Sequence, residues 1–167
     1  MTIPYTWEQI PHLLLLLLMS WIATFGYAIL YHVPKRASLW VGLIGMGAWI
    51  TQDISMRWGV SAVGAAFLGG LVVSVLSELF ARKLRMPVIV FVVGGIVPLV
   101  PGSSAFRTMR EFVTGHQLQG LAQGTNTFLI ASAISAGLVI AGTIMRLDRR
   151  KRYEKPSGDR FGTPDGR

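Results

Sequence analysis

The sequence predicts an all-α integral membrane protein with five transmembrane helices, the fourth broken by proline and glycine and followed by a short amphipathic helix. Three observations carry this reading. Hydrophobic residues make up 51% of the chain and charged residues only 14%, against about a quarter charged in soluble domains. Residues 13–30 and 59–77 contain no Asp, Glu, Lys or Arg, and uncharged runs of that length are those of membrane spans. The basic residues are also concentrated in alternate connections, the pattern of the positive-inside rule, with Arg57, Arg107 and Arg110 against the trend.

The first segment, residues 11–31, surrounds the six leucines 13–18. The preceding MTIPYTWEQIPH has no Lys or Arg and no A-x-A cleavage site follows, so this helix is expected to be retained rather than removed as a signal peptide. The connection HVPKR leads to the second segment, residues 37–56, and the third covers residues 59–80. ARKLR (81–85) reads as a loop with three positive charges. The fourth segment, residues 87–100, has 14 residues, roughly 21 Å of helix against a hydrocarbon core of about 30 Å. The fifth is residues 121–145.

Small residues recur at helical spacing. Gly42, Gly45 and Gly47 cluster in the second segment, Ala65/Gly69, Ala66/Gly70 and Gly70/Ser74 in the third. Ala131/Ser135, Ser132/Ala136 and Gly137/Ala141 repeat the pattern in the fifth. Such faces let helix backbones approach closely in lipid. They exceed what five helices need, which points to a partner protein or a homo-oligomer.

Loop charge sets the orientation. Lys35, Arg36, Arg82, Lys83 and Arg85 lie in the first and third connections, while the second carries only Arg57. This predicts an external N-terminus and a cytoplasmic C-terminus. Half of the 16 Lys and Arg lie between Arg146 and Arg167. The chain therefore divides into a membrane domain, residues 1–147, and a basic tail, residues 148–167, rich in Pro, Gly and charge. That tail is expected to be disordered and to sit against anionic headgroups, not nucleic acid. There is no cysteine, which excludes thiolate chemistry and disulfides.

The stretch IVPLVPGSSAFRTM (96–109) is the most informative. Pro98 and Pro101 cannot continue a helix, and Gly102 loosens the backbone further. Ser103 or Ser104 is a suitable N-cap for a following helix. That helix puts Ala105, Phe106, Met109, Phe112 and Val113 on one side and Arg107, Arg110 and Glu111 on the other. Irregular backbone at membrane depth is tolerated where protein or water covers it, and half-helix N-termini in transporters face anionic substrate groups. A cation in the first helical turn opposes the helix dipole. Arg107, placed there, is therefore a candidate for a substrate carboxylate, with Ser103 and Ser104 as hydrogen-bonding partners. The competing reading is an interfacial connector whose arginines face water or headgroups.

Other polar residues fall into two groups. Asp53 and Glu78 are candidates for proton coupling, or i,i+4 surface pairs with Arg57 and Arg82. Asn126, Thr125 and Thr127 are interhelical hydrogen-bond donors or, for Asn126, a substrate contact. His12, His32 and His116 lack metal-ligand spacing, so neither a metal nor another cofactor is expected. A serine hydrolase built on Ser103 or Ser104 with His116 fails on spacing, because His116 lies at or beyond the end of the same short helix. The chain is not expected to be an enzyme.

At VPKRA (33–37), and above all at IVPLVPGSSAFRTM, the sequence resembles the threonine/serine exporter family, specifically its short-subunit branch. Pro98, Pro101, Gly102, Ser104, Ala105 and Met109 match the family's break, and the similarity runs over roughly residues 20–145. The resemblance implies export of small polar or anionic metabolites across a bacterial inner membrane, by a two-component system in which a larger membrane subunit supplies the missing half. The exported compound would be a dicarboxylate such as succinate, or an amino acid such as threonine or serine. The alternative is a structural or assembly subunit with no substrate site of its own. The motif does not extend to Arg107 or Asp53, whose roles rest on the physical reading alone.

Overall fold

The computed structural model describes residues 10–153. They form α1 (Ile10–Leu30), α2 (Lys35–Arg57), α3 (Ala62–Leu84), α4 (Val88–Gly95), a 3-10 turn (Val97–Leu99), α5 (Gly102–Val113) and α6 (Gln117–Tyr153). No strand occurs among the described residues. The all-α reading holds.

Each helix ends for a local reason. α1 stops where His32 takes a left-handed conformation, φ 55°, two residues before Pro34. α2 closes at Gly59, φ 83°, whose N–H donates to the Met56 carbonyl while Val60 N–H reaches Ser55. This is the glycine C-cap that satisfies terminal carbonyls. Ser61 then caps α3, its Oγ accepting from Gly64 N–H at 3.2 Å.

Two boundaries differ from expectation. The ARKLR stretch is helical through Leu84 and only Arg85, φ 53°, leaves the helix. Lys and Arg are good helix formers whose stems reach along the helix to water, so charge alone did not end α3. α6 has 37 residues, roughly 55 Å. It runs through residues 148–153, which composition had placed in the tail, and residues 154–167 lie outside the described part.

Three helices are long and apolar enough to span a membrane: α1 over Leu13–Leu30, α3, and α6 over Gln117–Leu147. α4 and α5, bent by 53° at their break, qualify together as a fourth. α2 has 23 residues, long enough at about 34 Å. Lys35, Arg36, Gln52, Asp53 and Arg57 dilute its apolar character, so length and composition support three to four spans rather than five.

α3 is the central helix. Of its apolar stretch, 44% is buried within the chain, against 17% for α1 and 22% for α6. Val41, Ile44, Ala48, Ala66, Val73, Phe91 and Leu99 form the core around it. The small residues do the predicted work: a Cβ on Gly70 would lie 2.7 Å from the Ile134 carbonyl oxygen, and one on Gly137 2.5 Å from that of Phe67. α3 and α6 thus touch backbone to backbone.

Helix direction follows from these contacts. Gly70 meets Ile134, Ser74 meets Leu138 and Gly142, and Arg82 meets Met145. α3 and α6 therefore run parallel. Along α3, Gly69 faces Leu99 and Val73 faces Gly95, so α4 runs antiparallel to α3. The α4–α5 pair must carry the chain from one end of the bundle to the other, because α6 starts again at the end where α3 starts.

Candidate functional site

The break lies where α4 gives way to the 3-10 turn. Ile96 keeps helical angles, Val97–Leu99 tighten into the turn around Pro98, and Val100 is extended at φ −61°, ψ 125°. Pro101 precedes α5 as its N-cap residue. Leu99 anchors the turn: it is 2% exposed and packs against Gly69. Pro98 lies within the turn and Pro101 precedes the next helix, whereas Gly102, expected to loosen the break, is the first residue of α5.

The capping expectation is not met. α5 starts at Gly102, and no side chain caps it. Ser103 and Ser104 sit inside its first turn, where the Ser104 carbonyl accepts from Thr108 Oγ1 at 2.9 Å. A helix starting at Gly102 also puts Arg107 in the second turn. The dipole acts within the first turn, so the conflict expected for Arg107 is largely removed.

α5 folds back along the start of α6. Phe112 covers Gly120, and Thr108 packs at Gly124. Arg107, Arg110 and Ser103 are exposed, and so are Phe106, Met109, Phe112 and Val113, leaving no buried residue in the helix. Asn126 is exposed on α6. Thr125 and Thr127 donate into their own helix, to Leu121 and Gln123 carbonyls at 2.9 and 2.8 Å, rather than across to a neighbour. Ser103, Ser104, Arg107 and Asn126 thus share one end of the bundle on an open surface.

The carboxylates lie apart from this group. Asp53 Oδ2 accepts from Arg57 Nε at 2.7 Å near the end of α2. Glu78 is more deeply placed, its side chain 5% exposed, with Oε1 3.3 Å from an Arg82 Nη. Arg82 also donates to the Met145 carbonyl at 2.9 Å, tying α3 to α6. Both acids thus form the i,i+4 pairs that spacing suggested. His116 contacts Glu111 at 3.3 Å and Thr114 at 3.2 Å, past the end of α5. No group of side chains fit to hold a metal occurs among the described residues.

Ser74, expected only as a small packing residue, Arg146, expected only as the start of the basic run, and Thr143 are polar residues to which the sequence assigned no site. They join Glu78 around a cavity between α3, α4 and α6. The signal existed as Ser74/Glu78 and Thr143/Arg146 on helical spacing, but it becomes legible only once α3 and α6 are known to be parallel neighbours.

Apolar helices of spanning length, a broken span that crosses the bundle, and polar groups at that break and along the α3–α6 seam are those of an all-α membrane protein. The chain belongs to the threonine/serine exporter family: the family model described as Threonine/Serine exporter, ThrE, matches residues 16–144. It is accordingly an exporter-type transport protein of the membrane. No solved structure matches the chain.

Proposed function

We propose that this chain is one membrane subunit of a secondary transporter that exports small carboxylate-bearing metabolites and works with a larger membrane subunit of the same family. The observation that carries the reading is the uncovered break. Ser103, Arg107 and Asn126 lie open around an interrupted span, and Phe106, Met109 and Val113 of the apolar face of α5 are exposed while Phe112 rests on Gly120. Polar groups and irregular backbone at membrane depth need cover. A second membrane component would provide it, with Arg107 and the serines turned towards the substrate path and Asp53 or Glu78 available for coupling. The exposed pairs Ala131/Ser135 and Ser132/Ala136 on α6 offer further close-packing faces.

The charge pattern supports an external N-terminus and a cytoplasmic C-terminus in a bacterial inner membrane, with α2 counted as a fifth span. Both carboxylate classes, dicarboxylates such as succinate and amino acids such as threonine or serine, suit the site.

Export of threonine, serine and succinate from cells carrying neither chain, this chain alone, the larger subunit alone, or both tests the proposal. Export only with both chains is the expected result. Full transport by this chain purified alone into vesicles overturns the two-subunit requirement. Complex formation without any effect on transport supports instead a structural or assembly subunit.

A further inference from the structure

We infer that the cavity between α3, α4 and α6, at the basic end of the bundle, is a loading site for a small amino acid held by both its carboxylate and its ammonium. The inference rests on the transport reading above but concerns a different place, at the far end of α4 from the break.

The cavity has a volume of about 300 Å³, at the lower limit for small-molecule sites. Val88, Ile89 and Val92 of α4 and Leu138 of α6 give it apolar walls. Its polar groups come from facing helices: Ser74 and Glu78 from α3, Thr143 and Arg146 from α6. Apolar walls with a few convergent polar groups are what binds and orients a small ligand.

The charges have opposite sign and unequal depth. Glu78 is almost fully buried, with its Oε1 oriented by Arg82. Arg82 is not part of the lining and is held in turn by the Met145 carbonyl. Arg146 lines the cavity from an exposed position at its mouth. The α4 N-terminus adds to the positive pole: its first turn, Val88–Ile89, lines the cavity and no side chain caps it. Uncapped N–H groups and the dipole favour an anion there.

A buried acid on one wall and a cation with free amides at the other match a zwitterion. The carboxylate goes to Arg146 and the α4 amides, the ammonium to Glu78. Ser74 reinforces this polarity. Its hydroxyl proton is committed to the Leu138 carbonyl at 3.0 Å, so towards the cavity Ser74 Oγ can only accept, from an ammonium or a substrate hydroxyl. A dicarboxylate would set its second charge against Glu78. The cavity lies towards the C-terminal ends of α3 and α6, where Arg146 lines it, the end that loop charge assigns to the cytoplasm, from which an exporter loads.

The chain has no cysteine, so Thr143→Cys introduces a unique thiol at the cavity. Its alkylation by a maleimide is followed by the mass of the chain, in inverted membrane vesicles holding the full chain and its partner subunit. With L-threonine at ten times its dissociation constant, about one cavity in eleven stays open and alkylation slows about tenfold. Succinate at equal concentration leaves the rate unchanged. Glu78→Gln or Arg146→Gln in this background abolishes protection. Val139→Trp, at an exposed lining position that carries no charge, does the same without touching the Glu78–Arg82 pair, which separates lost binding from lost folding. Unchanged alkylation with L-threonine, in vesicles that still export it, overturns the inference and leaves the transport reading standing. Equal protection by succinate, insensitive to Glu78→Gln, overturns the assignment of the ammonium to Glu78. Protection does not depend on transport, so a failure to export counts against the transport reading alone.

Discussion

Gly137→Ala is the most direct probe of the α3–α6 seam. A Cβ at this position falls 2.5 Å from the Phe67 carbonyl oxygen and 3.0 Å from the Leu71 nitrogen. Carbon–oxygen contacts normally open at about 3.3 Å, so the helices must part by roughly 0.8 Å there. The obstructing atoms are backbone and cannot rotate away. Overpacking costs about 1–3 kcal/mol, and alanine returns up to about 1 kcal/mol in helix propensity. The expected net loss is about 1–2 kcal/mol, because both sides of the clash are rigid. Gly70→Ala, with its Cβ 2.7 Å from the Ile134 carbonyl oxygen, should cost a similar amount. The double variant should cost less than the two together, since one separation of the helices relieves both clashes. Gly26→Ala is the control, having nothing within 4 Å of its Cβ. Thermal unfolding of the purified protein in detergent, read by size-exclusion fluorescence, measures all four. A Gly137→Ala protein that melts with Gly26→Ala or above it would falsify the backbone-contact account of the seam.

Other perturbations separate the remaining features. Ser61→Ala removes the only side chain seen capping a helix among the described residues and should lose about 0.5–2 kcal/mol. Ser104→Ala should not lower the melting temperature through a cap, and a drop as large as that of Ser61→Ala would contradict the observed start of α5. Arg107→Ala should leave the melting temperature unchanged, since Arg107 is exposed and beyond the first turn, while reducing export of a carboxylate. Arg107→Lys should restore little if the contact is a two-pronged guanidinium–carboxylate pair, and intact export by Arg107→Ala would make this residue interfacial. Reporter fusions after residues 57, 85 and 150 should read outside, inside and inside, and an external signal at 150 would overturn the orientation.

Much of the fold was legible because membrane spans are written in composition. α1, α3 and α6 stood out as uncharged runs, and Pro98 and Pro101 marked the break through chemistry no neighbour can reverse. Boundaries set by local geometry were harder. ARKLR looked like a loop because it is charged, yet what ends α3 is the left-handed Arg85 followed by Pro87. Ser103 and Ser104 looked like caps, yet α5 had already begun at Gly102. The polar cavity was illegible for a different reason. Ser74 and the Leu138 carbonyl it bonds are 64 residues apart, and nothing local in either segment announces the other.

The parallel course of α3 and α6 gives the break its functional meaning. A re-entrant loop would return the chain to the end where α3 finishes, and α6 would then run antiparallel to α3. Instead Gly70, Ser74 and Arg82 meet Ile134, Leu138 and Met145 in ascending order. The α4–α5 pair is therefore a crossing segment, interrupted partway. Its first half ends against the tightest part of the core, with Gly94 against Val41, Gly95 against Ile44 and Leu99 against Gly69. Its second half, α5, has no buried residue. One half of the span is thus fixed to α2 and α3, and the other, among the described residues, rests along the start of α6. The 53° bend at Pro98–Pro101 joins a rigid half-helix to a lightly held one, and the cavity lined by Glu78 and Arg146 sits at the foot of the rigid half. A substrate loaded there would face a fixed wall on the α4 side and reach, one half-helix further on, the part of the span that packs along the start of α6.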